Sequence, residues 1–142
     1  IKLSNLLINK DLRLKNSKAL NSEQLAELAV TALGDMKGQE IRSISVQGLT
    51  SITDFMVIAT GTSSTHVKAL ADSVDKAAKE AGQAVKSIEG KIAAEWVLVD
   101  LGDVVVHLMV APMRALYNLE ELWSFKAPAE DAIVVIAAEH EA

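Results

Sequence analysis

Residues 55–81 read FMVIATGTSSTHVKALADSVDKAAKEA, and a change of rhythm inside this stretch decides the fold. Phe55 to Ala59 is an unbroken apolar run, the pattern of a central strand covered on both faces. From Val67 onward the spacing changes. Val67, Leu70, Ala71, Val74, Ala78 and Ala81 fall on one stripe of a helix, and Gly82 is placed to stop it. Between the two elements Thr62, Ser63 and Ser64 offer candidate helix caps.

Downstream, a short strand is expected near residues 84–88, leading to Glu89-Gly90. Trp96 to Val99 and Val104 to Met109 read as two further strands. The linker between them, Asp100-Leu101-Gly102-Asp103, has the Asp and Gly content of a tight hairpin turn. Pro112 suits the first turn of a last helix carrying Leu116, Tyr117, Leu119, Leu122 and Trp123. Upstream, Asn21 followed by Gln24 has the form of a helix-capping pair. Leu25, Leu28, Ala29, Ala32, Leu33 and Met36 then repeat at helical spacing, with Gly38 to end the helix. Ile44 and Val46 alternate with Ser43, Ser45 and Gln47, a strand with one wet face. Residues 1–20 lack a period and are rich in Lys and Asn, so they read as a flexible extension. An organellar transit peptide fits them less well, because such peptides favour Arg and Ser. Past Phe125 the chain is rich in Ala and Glu with one apolar run that fits strand and helix equally. The division is therefore an extension (1–20), a domain (21–125) and a tail (126–142). The order of elements predicts a single mixed β-sheet with packed helices, an α/β sandwich.

Composition narrows the function classes. The chain has 142 residues, half of them apolar, which is enough for one buried core. It has no cysteine, which excludes a disulfide framework, a thiolate zinc site and a cysteine nucleophile. Its longest apolar runs fall far short of the roughly 20 residues that span a bilayer. No cationic leader with an apolar core precedes the domain, so a soluble cytoplasmic protein is expected. Residues 1–18 carry five basic groups against one acidic, a net of +4, whereas the remainder carries 9 basic and 18 acidic groups, a net of −9. An acidic body disfavours phosphate-backbone binding and suits a basic protein partner, although net charge of this size also serves solubility alone.

Three constellations invite a chemical reading. Gly61-Thr62-Ser63-Ser64 stands where a strand enters a helix, a junction that can hold a phosphate. It lacks the P-loop lysine, and turn glycine plus capping hydroxyls is the commoner use of these residues. The carboxylates Asp54, Asp100 and Asp103 have the wrong spacing for a metal pair. A nucleotidyltransferase places two carboxylates two apart on one strand so that both face the same way. Here Asp100 and Asp103 are three apart across a turn, and they more simply close the hairpin. The third constellation is His107 with Arg114, Tyr117 and Trp123. A histidine in an apolar strand is more often a hydrogen-bonded core residue than a base or ligand. Arg, Tyr and Trp on one short helix are the types that dominate interface energetics, with core packing as the competing use. His66 and His140 stand apart, so no histidine pair forms a metal site, and neither metal nor cofactor is expected.

Four segments together resemble the Iojap/RsfS ribosomal silencing factors: SITDFMVIATGTSSTHV at 51–67, IEG at 88–90, WVLVDLGDVVVHLM at 96–109 and RALYNLEELW at 114–123. The resemblance covers about residues 22–125. It implies a nucleotidyltransferase-like α/β fold without the catalytic carboxylates, and therefore no enzyme. It further implies binding to the large ribosomal subunit through ribosomal protein fourteen, steric exclusion of the small subunit, and lowered translation under nutrient limitation. A homodimer in the free state is also implied. The partner-binding residues expected on this basis are Asp100, Asp103, His107, Arg114, Tyr117 and Trp123, as contacts or as supports of contacts. The chain departs from the family at Ser45, where an aspartate is usual, and residues 1–20 and 126–142 are expected to have no clear family counterpart, as additions specific to this chain. The competing readings are a nucleotidyltransferase-type enzyme using Gly61 to Ser64 with Asp100 and Asp103, and a small-molecule or assembly module. Mg²⁺-dependent turnover would mark the first of these, and a ligand-dependent melting temperature without catalysis the second.

Overall fold

The structure, a computed structural model, describes residues 20–119. The expected extension at 1–20, the tail at 126–142 and the expected positions of Leu122 and Trp123 lie outside those residues, apart from Leu20. Helix α1 (Ser22–Asp35) opens with a reciprocal cap. Gln24 N–H donates to Asn21 Oδ1 at 2.8 Å, and Asn21 N–H donates to Gln24 Oε1 at 3.0 Å. Asn21→Ala is expected to cost about 1 kcal/mol of stability, read from the denaturation midpoint.

The close of α1 differs from expectation by one position. The left-handed residue is Lys37 (φ 63), and Gly38 N–H reaches back to Leu33 O at 2.8 Å. Gly38 is instead needed for space, since a Cβ there would press on Leu33 O and on the Leu70 side chain.

Strand β1 (Gln39–Ser45) lies earlier than the expected one. Glu40 takes φ 47, and the register shifts between Gln39 and Arg42. Val46 stands beyond the strand end yet is fully buried, with its N–H on Asp54 O at 2.8 Å. Strand β2 (Phe55–Gly61) has the two covered faces that its apolar run predicts. Val57 and Ala59 enter the core under the helices, and Met56 and Ile58 enter the core of the opposite face.

Helix α2 (Ser64–Glu80) is capped by Ser63, whose Oγ accepts from His66 N–H at 3.1 Å. Its buried stripe is Val67, Leu70, Ala71, Val74 and Ala78, while Ala81 is the C-cap and lies outside the stripe. Strand β3 (Ser87–Glu89) is shorter and later than expected. Strands β4 (Trp96–Asp100) and β5 (Val104–Val110) form the predicted antiparallel hairpin, with Asp100 opposite Val105 and Gly102 at φ 91. Helix α3 (Ala111–Tyr117) carries Pro112 in its first turn. It does not continue as one helix toward Trp123, because Asn118 turns left-handed at φ 46.

The sheet order is β1-β2-β5-β4-β3, with β2 and β5 parallel and every other pair antiparallel. One mixed sheet therefore carries α1 and α2 on one face. Met113, Tyr117, Val46 and Leu119 pack on the other. Among the described residues no helix is long and apolar enough to cross a membrane.

Candidate functional site

The hairpin places its two carboxylates differently. Asp100 is half-buried, and its Oδ1 accepts from Gly102 N–H at 2.8 Å, which shapes the turn. The Asp103 side chain is exposed, while its carbonyl accepts from Asp54 N–H at 2.9 Å and Phe55 N–H at 3.1 Å. The tip is thus pinned to the start of β2 through its backbone, leaving the Asp103 carboxylate in solvent. Among the described residues no group of three or more His, Cys, Asp or Glu is arranged to hold a metal.

His107 and Tyr117 meet through a residue that the sequence did not single out, Trp96. Trp96 Nε1–H donates to His107 Nδ1 at 3.0 Å, and both side chains are buried. On the other side the Tyr117 ring stacks on Trp96 at 4.8 Å between centroids, tilted by 46°. A signal for Trp96 does exist in the sequence. Once residues 100–103 close a hairpin, Leu98 falls opposite His107, and Trp96 is two residues along the same face. Burial lowers the His107 pKa from 6.5 to about 3, so the ring is neutral. With Nδ1 accepting, Nε2 carries the proton, buried and without a hydrogen-bond partner. His107 is therefore a support for the indole and not a surface contact.

Arg114 is also 92 % hidden, at 8 % exposure. Its Nη1 donates to Glu40 O at 2.7 Å and to Thr60 Oγ1 at 2.8 Å. It lines a crevice of about 300 Å³ with Gln39, Glu40, Thr60 and Asn118. That crevice stands at the carboxyl ends of the parallel strands, the place where open α/β sheets commonly bind ligands. Here the guanidinium ties α3 to the bulge of β1 and the end of β2. Burial gives Arg114, like His107, a supporting place.

In the Gly61–Ser64 turn one backbone donor is engaged from within. Thr62 N–H donates to His66 Nδ1 at 2.9 Å, and His66 Nε2–H reaches Met36 O at 2.8 Å, so one imidazole joins the turn to the end of α1. Gly61 is required by crowding, since a Cβ there would press into Val67. The expected residues thus form two groups at opposite ends of β5. Asp100 and Asp103 sit at its start, and Arg114 and Tyr117 sit past its end, with His107 between them.

Comparison with known proteins places this arrangement. The family described as "Ribosomal silencing factor during starvation" matches residues 19–142, a span that takes in the C-terminal stretch. Ribosomal silencing factor RsfS of Chromobacterium violaceum is 45% identical over 106 residues, covering 75% of this chain and 87% of that protein. A crystal structure of a protein from the same organism superposes with a TM-score of 0.73 at 43% identity, covering 78% of this chain and 92% of that one. A more distant relative is the Mus musculus protein named "Mitochondrial assembly of ribosomal large subunit protein 1". It is 34% identical over 116 residues, covering 80% of this chain and 50% of that protein. Motifs, fold and both kinds of comparison converge, and the chain belongs to the RsfS family of ribosomal silencing factors.

Proposed function

We propose that the protein acts without catalysis, by binding the large ribosomal subunit through ribosomal protein fourteen and obstructing the small subunit. Translation then falls when nutrients are limiting. The observation that carries this reading is the family match, whose description names both silencing and starvation. The name of the mouse relative points to the large subunit. Two features of the chain support a binding role. The acidic hairpin tip suits a basic ribosomal protein, with Asp103 as the exposed charge that speeds encounter. Asp100, His107 and Arg114 hold the tip and α3 in place, and Tyr117, half-buried on Trp96, is the aromatic anchor. Trp123 belongs with these as a proposed contact. The enzymatic alternative is less favoured, because the Thr62 N–H is taken by His66 and the Asp100 carboxylate by its own turn.

Sucrose-gradient sedimentation of purified subunits tests the proposal. The protein should travel with free large subunits, and adding it should reduce the joined ribosome peak. Asp103→Lys should weaken that binding by about 1 kcal/mol, roughly fivefold in Kd, chiefly by slowing association. Unchanged subunit joining at every salt concentration would defeat the silencing mechanism. Unchanged binding by Asp103→Lys would remove the hairpin as the docking edge. The same gradients report whether the free protein sediments as a homodimer.

A further inference from the structure

We propose that the groove between α1 and α2 is a docking site for a cationic amphipathic helix supplied by a partner protein. The inference is independent of the ribosomal reading, because the groove lies on the outer surface of the helical layer. The proposed ribosomal contacts belong to the sheet's hairpin end and its opposite face.

The two helices run antiparallel. His66 on α2 meets Met36 at the end of α1, and Ser73 Oγ–H donates to Ala32 O at 3.1 Å further along. Side by side they leave an open trough of about 510 Å³ on the surface away from the sheet. Its bottom is mainly apolar: Ala32 is buried, Leu28 and Ala77 are half-buried, and the Ser73 hydroxyl is already satisfied. Small residues between two helical ridges allow a third helix to approach closely and pack ridge into groove. Leu28 belongs to the apolar repeat of α1 yet is not among the buried core residues, so it is available to such a helix. From Gln24 to Asp35 the trough runs for about 16 Å at 1.5 Å per residue, roughly three helical turns.

Charge selects the occupant. Glu27, Asp35 and Glu80 are exposed on the rim, and the rim cation Lys76 lies 4.0 Å from Glu80. A second copy of this chain brings an acidic body, which such a rim repels. A helix with leucines on one stripe and lysines or arginines beside it satisfies floor and rim together.

The probe is a fluorescein-labelled peptide of about four helical turns, with leucine at alternating third and fourth positions and lysine elsewhere. A scrambled peptide of the same composition is the control. Anisotropy is read on the full chain without ribosomes. The ordered peptide should bind at least tenfold more tightly than the scrambled one. Glu27→Lys with Glu80→Lys should weaken it tenfold or more. Leu28→Gln, which keeps every charge, should weaken it about threefold or more, with folding of each variant checked by circular dichroism. Equal binding of the two peptides, no binding to the parent, or unchanged affinity in either variant overturns the proposal. Deleting residues 1–18 should leave the affinity unchanged. A tenfold gain on that deletion would show that the chain's own cationic segment fills the groove, and would overturn a partner helix.

Discussion

Replacing Gly90 with alanine should lower the stability of the domain by about 3 kcal/mol and its melting temperature by about 10 °C or more. Gly90 follows β3 at φ 91, a backbone conformation that costs a side-chain-bearing residue about 1–2 kcal/mol. In addition, a Cβ there would overlap the Trp96 carbonyl oxygen, so the loop must move off the first residue of β4. That loop is otherwise fixed, with Ala94 N–H on Gly90 O at 2.9 Å and Ala94 fully buried. Gly48 supplies the control. It also has positive φ, 81, but nothing lies within 4 Å of an added Cβ. Gly48→Ala should therefore show the backbone cost alone. If the two variants shift the denaturation midpoint equally, the close approach to Trp96 carries no weight.

Acidification should weaken the fold through His107 well before the carboxylates are fully protonated. The folded-state pKa of about 3 lies below the ordinary 6.5, so between those values the unfolded chain binds the extra proton. The contribution is complete above pH 6.5 and is lost as pH falls, by up to about 1.4 kcal/mol per unit. At pH 4.5 the loss from this one ring is roughly 3 kcal/mol. Unfolding free energies of the parent and of His107→Gln, measured from pH 7 to 4.5, isolate the effect. Near neutral pH the variant should be the less stable, because the Trp96 indole loses the ring nitrogen that accepts its N–H, but its curve should be flatter by one proton, so the gap narrows as pH falls. Parallel curves would mean that His107 is already charged in the folded protein.

Much of this architecture was legible in the order of apolar residues. The run at 55–59 fixed a strand with two buried faces, and the 100–103 turn fixed a hairpin, because period and turn chemistry are local properties. What could not be read locally is set by tertiary contact. Lys37, Glu40, Ala94 and Asn118 all take positive φ without being glycine, and each moves an element boundary or anchors a loop. Nothing in residue type announces that choice. Arg114 reads as an interface residue by type, yet its hydrogen bonds go to residues 54 and 74 positions away in sequence. The fold hides it. His107 was legible as a strand residue in an apolar setting, and its pairing with Trp96 needed only the hairpin register to be followed two steps along.

The strand order also sets how the chain can assemble. The last described strand in sequence, β5, is the middle strand in space, hydrogen-bonded to β2 on one side and β4 on the other. A chain emerging N-terminus first has α1, β1, β2 and α2 available while the slot between β2 and β4 is still empty. Val57 and Ala59 then lie along an unpaired edge, and no local pairing can close it. The two halves of the sheet become one cooperative unit only when Val104 to Val110 arrives. Synthesis interrupted before that point leaves an adhesive half-sheet that chaperones must hold or proteases remove. In living cells the domain is therefore committed late, and a nascent chain gains nothing from having most of its residues.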